Sequence, residues 1–309
     1  MNRNLKSPME HPSTIVFVNQ SSGYLMIDIV NIFEGNYEKR VLVTGLINSR
    51  NTELDKNVRL EKMMTYKRSS LINRLLSWPI GFMQALYLVK LKYRTAHLFL
   101  VSNPPFIPLL PLFCKNPFSL LIYDVYPNII YENGYLSEKS LFIKYWKKAN
   151  HRVFSRAQNI YTLTEGMKEV VSEYSGNRPV KVVPIWTDNR FLGPIAKENN
   201  RFLKDNGLQG KFIVLYSGNI GDSQNVEVII ELASKVKIDN LMFIIVGQGT
   251  HKQKIKQLIE SRNLKNCLIF PWQNNEVFAH VLASADIGIV SLGEKNSQLG
   301  IPSKLFNYL

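Results

Sequence analysis

The chain has 309 residues, which is enough for one large domain or two medium domains with buried cores. Its 45% hydrophobic and 20% charged residues are typical of globular proteins and exclude a chain that is disordered throughout. The net charge is +14 and uneven, because residues 1–190 hold 25 basic and 14 acidic side chains, whereas residues 191–309 hold 13 and 10. We therefore expect a negatively charged partner, a membrane surface or a nucleic acid, on the N-terminal half.

Several classes of site and segment are excluded by the residues present. Cys114 and Cys267 are too few and too far apart for a disulfide framework or a cysteine-based zinc site, and the five histidines show no metal-ligand spacing. The apolar run Ile15 to Val18 is too short for a signal peptide, and no apolar run reaches the ~18–20 residues of a spanning helix. We expect a cytoplasmic chain that touches a membrane only at its inner surface.

Strands and helices alternate through the first half of the chain. The predicted strands are 14–19, 39–44, 57–61, 97–102, 119–123, 159–163 and 180–184, and the predicted helices are 24–33, 70–92, 137–155 and 164–174. This alternation predicts a parallel sheet with helices on both faces. The polar run that follows has no sustained apolar period. We therefore predict an N-terminal domain over 1–190, a linker over 191–210 and a C-terminal domain over 211–309.

The second half alternates more regularly, and two of its strands end in glycine-bearing turns. The predicted strands are 212–216, 241–246, 267–270 and 287–292, and the predicted helices are about 225–237, 251–262 and 275–284. The turns contain Gly218 and Gly221 after the first strand and Gly247 after the second. Ligands bind at the carboxyl ends of strands in open α/β sheets, and glycine lets a phosphate approach the backbone. For the turn at Gly247 a packing role is the alternative.

The last predicted helix begins at Pro302, which suits a first helical turn because it lacks an N–H. Ser303 and Lys304 fall on that turn, where unpaired backbone N–H groups and the helix dipole attract anions. The pattern predicts a site for a diphosphate. The alternative is an ordinary helix start with a surface lysine.

Two further features of the N-terminal half could carry function. Asp124 follows the strand at 119–123 and would lie at a sheet edge that binds substrate, with an ordinary turn aspartate as the alternative. Residues 59–94 carry eight basic side chains and one acidic side chain around the apolar run 75–89. This pattern is typical of a helix that lies on an anionic membrane, and a buried core helix is the alternative.

Four motifs in the second half resemble the nucleotide-sugar half of family 4 retaining glycosyltransferases, and within that family the enzymes of bacterial surface-polysaccharide biosynthesis. They are Tyr216-Ser-Gly-Asn-Ile-Gly221, Val246-Gly-Gln-Gly249, Ser284-Ala-Asp-Ile-Gly-Ile-Val-Ser-Leu292 and Ile301-Pro-Ser-Lys-Leu-Phe-Asn-Tyr-Leu309. Two more motifs, Tyr123-Asp-Val-Tyr-Pro127 and Val183-Pro-Ile-Trp-Thr-Asp188, are similar to the family's acceptor-side strand end and interdomain segment. The resemblance covers residues 120–309 by motif and the earlier residues by architecture.

The resemblance implies an α/β fold with two Rossmann-like domains facing across a cleft, the glycosyltransferase B type. It implies transfer of a sugar from a nucleoside diphosphate sugar with retention at the anomeric carbon, without a metal or cofactor. The acceptor would be a saccharide, and a polyprenyl-linked saccharide is one such acceptor. The implied donor-binding residues are Gly218, Asn219, Gly221, Gly247, Trp272, Ser303, Lys304 and Asn307. The implied acceptor-side residues are Ser22, Gly23 and Asp124, and the implied catalytic residues are Asp124 and Lys304.

The chain departs from the family pattern at three points. Gln224 and Asn225 stand where the family often has a basic residue, so that Lys304 carries that charge alone, and Asn307 stands where a glutamate is frequent. The chain also ends where the family continues through a further strand and helices. We therefore expect the second domain to be incomplete and the chain to transfer little sugar by itself.

Three other functions fit parts of the sequence. An incomplete or inactive transferase would only bind a nucleotide sugar or a membrane. A dinucleotide oxidoreductase would use the glycines at 247 and 249, although the third spaced glycine of that fingerprint is missing. A nucleic-acid-binding protein would use the basic half, but its basic residues are scattered without an aromatic-interleaved motif, and we expect no nucleic-acid partner.

Overall fold

The structure of the chain, a computed structural model, describes residues 12–49, 52–65, 71–184, 192–221, 224–293, 299–301 and 304–308. It divides into two compact units. The first comprises Met1–Ile185 and Gln298–Gly300, and the second comprises Trp186–Ser297 and Ile301–Leu309.

The described residues of the first unit form a seven-stranded parallel sheet in the order β5-β3-β1-β6-β7-β8-β9. Its strands are β1 Thr14–Val18, β3 Lys39–Thr44, β5 Arg59–Lys62, β6 His97–Val101, β7 Phe118–Ile122, β8 Asn159–Thr162 and β9 Val180–Val182. A separate parallel pair joins β2 Ser21–Gly23 to β4 Leu46–Asn48. The helices are α1 Tyr24–Ile32, α2 Leu71–Lys92, α3 Asn128–Glu132, α4 Leu141–Phe154, α5 Glu165–Ser175 and a 3-10 helix at Ile107–Leu112.

The central strands of this sheet are apolar on both faces because helices cover both. Every residue of β6 and β7 is buried, as are residues 15–18 of β1. Continuous apolar strands of this kind are typical of parallel sheets. Two of the helices begin at side-chain caps, where Ser140 accepts from the Ile143 N–H and Thr164 accepts from the Met167 N–H.

The described residues of the second unit form a four-stranded parallel sheet in the order β12-β11-β10-β13. The strands are β10 Phe212–Asn219, β11 Leu241–Gln248, β12 Cys267–Phe270 and β13 Ile287–Gly288. The helices are α6 Arg201–Asp205, α7 Glu227–Lys235, α8 Lys252–Ser261, α9 Asn275–Ala283, α10 Leu305–Tyr308 and a 3-10 helix at Lys197–Asn199. Alternate residues of β10 face two cores: Val214 and Tyr216 pack with α7 and α8, whereas Ile213 and Leu215 pack with α6 and α9.

The order of strands and helices predicted from the sequence agrees with the structure apart from several differences, of which one is the short helix α3, which was not predicted. The strand predicted at 287–292 is confined to the two residues of β13, and the three-residue strands β2 and β4 were missed. In addition, Phe202, Leu203 and Leu208 are buried in a core of the second unit, so that this unit includes part of the run predicted as a linker. No helix within the described ranges is both long and apolar enough to span a bilayer.

Candidate functional site

The strands of the second unit bring several of the predicted residues to one edge of the sheet. β10 and β11 pair with Gly218 opposite Gly247, and β11 and β12 pair with Val246 opposite Phe270. Because the strands are parallel, the turns that follow them lie along the same edge. This edge carries the predicted donor-binding residues Gly218, Asn219, Gly247 and Trp272.

Lys304, immediately before α10, is buried against β10, with only 8% of its surface exposed. Its Nζ donates a 2.7 Å hydrogen bond to the Tyr216 hydroxyl oxygen and lies 4.0 Å from the centre of the Tyr216 ring. The Tyr216 hydroxyl in turn donates to the Asn219 carbonyl oxygen over 2.5 Å. Its proton is therefore directed away from the ammonium group, and the alternative of a surface lysine is wrong.

The charge of Lys304 has no acidic partner among the residues that the structure describes. Burial removes water from the ammonium group and lowers the pKa of Lys304 to about 8. A hydroxyl and an aromatic face compensate only part of such a desolvation cost. A bound anion would supply the missing negative charge.

Gly218 makes room for this lysine. A Cβ atom at Gly218 would lie 3.2 Å from the Lys304 Cε and 3.4 Å from its Nζ, which is closer than nearly all real contacts of this kind. Any side chain at position 218 would therefore push against the lysine. The sequence predicted that a glycine here lets a phosphate approach, and in the structure the same glycine also lets Lys304 lie across the end of β10.

The turn after β10 is closed by two side chains. The exposed Asn219 donates from its Nδ2 to the Gln224 Oε1 over 2.8 Å. A Cβ atom at Gly221 would lie 2.9 Å from that Nδ2 and 3.2 Å from that Oε1, so that a larger residue would displace these two side-chain ends.

The glycines after β11 are required for packing. A Cβ atom at Gly247 would overlap with the Gly218 carbonyl oxygen, and one at Gly249 would overlap with the carbonyl oxygen of Ile220. The two strand-end turns therefore approach each other more closely than any side chain at these positions would permit. The packing role left open for Gly247 accounts for its identity.

Tyr308 fastens α10 to the sheet. Its hydroxyl accepts from the Ser217 N–H over 3.0 Å and donates to the Leu215 carbonyl oxygen over 3.2 Å. A Cβ atom at Gly288 would lie 2.8 Å from the Tyr308 ring. The residue of β13 beside this ring therefore has to be a glycine. Because Tyr308 lies one turn after Lys304, these contacts also hold the lysine in place.

Two buried polar atoms of this region, Ser217 Oγ and Asn307 Oδ1, have no hydrogen-bond partner among the described residues. Buried polar atoms are nearly always satisfied in native proteins, so both mark positions where a water or a ligand group would bind. The Asn307 N–H donates to the Lys304 carbonyl oxygen over 3.1 Å. The predicted residue Ser303 lies outside the described residues.

Trp272 offers an aromatic face at the same sheet edge. It is 55% exposed and stacks on Phe278 with ring centres 5.9 Å apart and planes inclined by 23°. One face of the indole is thus fixed by Phe278, and the exposed part could stack on a nucleobase.

Asp124 of the first unit lies two residues after β7. The N–H groups of Tyr123 and Asp124 both donate to the buried Ser102 hydroxyl, over 2.9 and 3.1 Å, which fixes the backbone there. Among the described residues no cation pairs with its carboxylate, and burial raises the pKa of Asp124 to about 6. A turn aspartate has no need of such an environment, which favours a functional role.

Ser22 and Gly23 lie at the carboxyl end of β1, in the short strand β2. Ser22 is 1% exposed, and its hydroxyl is 3.0 Å from the Thr44 hydroxyl and 3.3 Å from the Asn19 carbonyl oxygen. The Ser22 side chain therefore holds the end of β1 to the end of β3 and is not available to a ligand. Gly23 is the N-cap of α1, and a Cβ atom there would meet nothing within 4 Å.

Helix α2 has one buried face and one exposed apolar stripe. Ala85 and Val89 are fully buried, whereas Ile80, Met83, Tyr87 and Leu91 are exposed by 43–63%. A shallow cavity of about 570 Å³ lies on this stripe. The basic residues Lys90 and Arg94 at the end of the helix are exposed as well. The buried face agrees with the core-helix alternative, and contact of the exposed stripe with a membrane stays a prediction.

Tyr216 and Tyr308, whose contacts hold Lys304 and α10, were not among the residues predicted from the sequence. Each lies in an apolar run, where a tyrosine is most simply interpreted as a core residue. The available signal was that a buried tyrosine hydroxyl usually needs a hydrogen-bond partner.

Residues 198–297 match the family model described as "Glycosyl transferases group 1". The chain thus carries a domain of the group 1 glycosyltransferases, as the resemblance in its motifs predicted.

Two curated relatives agree with this assignment. The chain is 37% identical over 114 residues to the putative colanic acid biosynthesis glycosyl transferase WcaI of Escherichia coli, a match that covers 37% of this chain and 27% of the relative. It is 25% identical over 244 residues to the probable glycosyltransferase WbjE of Pseudomonas aeruginosa, covering 76% of this chain and 61% of the relative. The chain therefore spans less than two thirds of either relative.

The crystal structure of Anabaena HepE in complex with UDP-glucose superposes with a TM-score of 0.62 at 11% identity, covering 90% of this chain and 74% of HepE. At this identity the likeness shows the fold alone. It confirms the predicted α/β class and the Rossmann-like units of the glycosyltransferase B type.

Proposed function

We propose that this chain supplies the donor and acceptor sites of an enzyme that transfers a sugar from a nucleoside diphosphate sugar to a saccharide acceptor. The transfer serves the synthesis of a surface polysaccharide and proceeds with retention at the anomeric carbon and without a metal ion. The observation that carries the proposal is Lys304, a buried ammonium group that lacks an acidic partner in the described part of the chain. It lies at the carboxyl end of β10, where α/β sheets bind their ligands. A diphosphate is the anion that the family domain makes most plausible.

The neighbouring groups suit the rest of a nucleotide sugar. Trp272 offers a half-exposed indole to the base, and Asn307 offers an unpaired Oδ1 that could accept a hydrogen bond from a sugar hydroxyl. Ser217 Oγ, also without a described partner, could donate to a phosphate oxygen. The donor in the HepE crystal, UDP-glucose, belongs to the same chemical class.

Transfer would require little covalent chemistry from the protein. The bond between the anomeric carbon and the diphosphate oxygen breaks, and the acceptor oxygen attacks from the same face of the sugar. The departing diphosphate oxygen takes the proton of the acceptor hydroxyl, so that no protein nucleophile is needed. Lys304 stabilises the negative charge that develops on the leaving diphosphate, and its fixed position avoids reorganisation at that moment.

On the acceptor side we assign the reacting region to Asp124 and to the backbone at Gly23. The raised pKa of Asp124, about 6, leaves a carboxylate that is ready to accept a hydrogen bond from a sugar hydroxyl at neutral pH. The space beside Gly23 would admit such a hydroxyl close to the start of α1.

We further propose that the acceptor is linked to a lipid and that residues 59–94 contact the inner face of the cell membrane. The exposed stripe of Ile80, Met83, Tyr87 and Leu91 would enter the headgroup region, and Lys90 and Arg94 would bind anionic headgroups. A lipid-linked acceptor would then be held at the same surface.

Calorimetric titration of the chain with nucleoside diphosphates tests the donor site directly. We expect saturable binding, and we expect Lys304→Met to weaken it by about 1.5–3 kcal/mol, as for the loss of a charge-assisted hydrogen bond. Lys235→Met is the matched control. Lys235 is an exposed lysine at the end of α7, so this substitution removes the same charge at the opposite edge of the sheet. Equal affinities for the wild type and Lys304→Met would refute the donor site.

A further inference from the structure

Helix α4 presents a second surface of mixed apolar and basic character. Leu141, Phe142 and Tyr145, in its first turns, are exposed by 70%, 51% and 70%. Tyr135 and Leu136, in the loop before the helix, are exposed by 59% and 42%. Five large apolar side chains within eleven residues of sequence thus face water, which is unusual for a monomeric soluble surface.

Basic side chains continue this surface. Leu141, Tyr145, Lys148 and Arg152 follow the spacing of one helical stripe, opposite the buried face of Ile143 and the residues that align with it. The outward stripe of α4 therefore begins apolar and ends basic. Three further lysines, Lys139, Lys144 and Lys147, stand around it. The acidic side chains described nearby are Glu138, whose Oε1 lies 2.5 Å from Lys147 Nζ, and Glu132.

The stripe of α4 lies on the same side of the sheet as the stripe of α2. The connections from β5 to β6 and from β7 to β8 run in the same direction across the sheet, so that right-handed crossovers place α2 and α4 on one face. The 3-10 helix at Ile107–Leu112 packs against both helices. Phe106 bridges them, with its ring 6.4 Å from Trp78 of α2 and 4.7 Å from Trp146 of α4.

We propose that the outward stripe of α4, together with the loop at 135–136, docks on an anionic lipid bilayer. This surface, which we define as Tyr135, Leu136, Leu141, Phe142, Tyr145, Lys148 and Arg152, extends the membrane contact proposed above for α2 and rests on it. Leucine and aromatic side chains enter the headgroup region, while the lysines and the arginine bind phosphates.

Charge favours a bilayer over a second copy of the chain. A two-fold contact through this surface would bring lysines of both copies together, and like charges across an interface are costly. A layer of anionic headgroups neutralises all of them at once. Helix α2 has the same pattern, an apolar stripe followed by Lys90 and Arg94. This face of the first sheet would therefore contact the bilayer through two helices.

Flotation with vesicles of phosphatidylcholine, with and without phosphatidylglycerol, tests the proposal on the whole chain. The wild type should bind only the anionic vesicles and should be released by salt. The double variant Lys144→Glu, Lys148→Glu should bind at least about 30-fold more weakly, since each basic residue contributes ~1 kcal/mol near such a surface. Leu141→Ser with Tyr145→Ser should produce a loss of similar size.

The matched control is Lys235→Glu with Lys237→Glu, which makes the same charge change on exposed lysines of the second unit. It should bind vesicles within about threefold of the wild type, because the proposed surface belongs entirely to the first unit. Nucleoside diphosphate affinity should be equal in all these variants. That measurement shows that they are folded, and it tests the donor site separately from the membrane surface.

Three outcomes would overturn the proposal. The wild type could fail to bind anionic vesicles. The α4 variants could bind as the wild type does, while Met83→Ser with Tyr87→Ser abolishes binding, which would leave α2 as the membrane contact by itself. Alternatively, the α4 variants could lose self-association in sedimentation velocity experiments with vesicle binding unchanged, which would make this surface an interface between two copies.

Discussion

The carboxyl end of β7 in the first unit and the carboxyl end of β10 in the second each hold one ionisable side chain in an environment that disfavours its charge. Asp124 follows β7 and has a pKa raised to about 6, whereas Lys304 lies against β10 and has a pKa lowered to about 8. Both shifts are caused by burial, and both groups are nevertheless charged at pH 7. They differ in what supports them.

Lys304 is held by contacts that position its charge without neutralising it. The Tyr216 hydroxyl accepts its hydrogen bond, the centre of the Tyr216 ring lies 4.0 Å from its ammonium group, and Tyr308 fixes the helix that follows it. At Asp124 the contacts hold the backbone, through Ser102, and within the described ranges no cation pairs with the carboxylate. A rigid cation indicates a site for a bound anion, whereas a less constrained carboxylate suits a group that contacts a variable acceptor.

The largest effect that we expect on stability comes from Lys304→Met. The folded pKa of about 8 lies below the unfolded value, so that the wild type carries the full cost of the buried charge below pH 8 and recovers it as the pH rises toward ~10.4. The variant should therefore be more stable by about 3 kcal/mol at pH 7, with the gain disappearing at high pH. Urea unfolding across this range checks it, and a variant that is less stable at pH 7 would show that the charge is already compensated.

Asp124→Asn should have a smaller effect on the free energy of unfolding, and the effect should change with pH in the acidic range rather than the alkaline range. The folded pKa of about 6 lies above the unfolded value of ~3.9, so that the wild type loses stability as the pH rises from about 4 to 6. Because the side chain remains partly accessible to water, we expect a gain of only about 1.5 kcal/mol at pH 7 and none near pH 4.

The same substitution distinguishes a role of Asp124 in acceptor binding from a purely structural role. If Asp124 contacts the acceptor, Asp124→Asn should slow transfer while nucleoside diphosphate affinity stays unchanged. An Asp124→Asn enzyme that turns over as fast as the wild type would return this residue to an ordinary turn position.

Only some of the residues at these two strand ends could be predicted from the sequence. Gly218, Lys304 and Asp124 were recognised because a glycine turn, a helix start and a strand end each have a local sequence pattern. Tyr216 and Tyr308 were not, because their contacts join residues about 90 positions apart and a tyrosine in an apolar run looks like core. Ser22 was assigned to a ligand, yet its hydroxyl contacts Thr44, a pairing that depends on the register of β1 and β3.

The fold could be predicted from the sequence more completely than the site. Long apolar strands such as β6 and amphipathic helices such as α4 have periodicities that identify them without tertiary information. Three-residue strands such as β2 and β4 have no periodicity to detect, and α6 was hidden in a polar run because only Phe202 and Leu203 of its five residues are buried.

Tyr216→Phe should produce the smallest effect, and it sharpens the comparison by removing one support of Lys304. The ring and its contact with the ammonium remain, but the hydroxyl that accepts from Nζ is lost. We expect nucleoside diphosphate affinity to fall by about 1 kcal/mol, or roughly fivefold.

Tyr174→Phe is the matched control, since it removes a buried 2.6 Å hydrogen bond to Asn128 in the first unit. It should lower stability and leave affinity unchanged. Equal affinity losses in both variants would indicate a general loss of rigidity and would contradict a specific role for Tyr216.

The central claim is that Lys304 is a buried cation whose missing counter-charge is a bound diphosphate, and proton uptake on binding tests it most directly. The chain is titrated calorimetrically with a nucleoside diphosphate at about pH 8.5, in buffers of different ionisation enthalpy. At that pH the phosphates, with a second pKa near 6, are already ionised and contribute no protons. Lys304, with a pKa of about 8, is largely neutral until the anion binds.

We predict an uptake of up to about three-quarters of a proton per site at this pH, falling toward zero at pH 6.5, where the lysine is already charged. Lys304→Met should bind without net uptake, whereas Lys235→Met should behave as the wild type. Binding without proton uptake by the wild type, or the same uptake in Lys304→Met, would contradict the account.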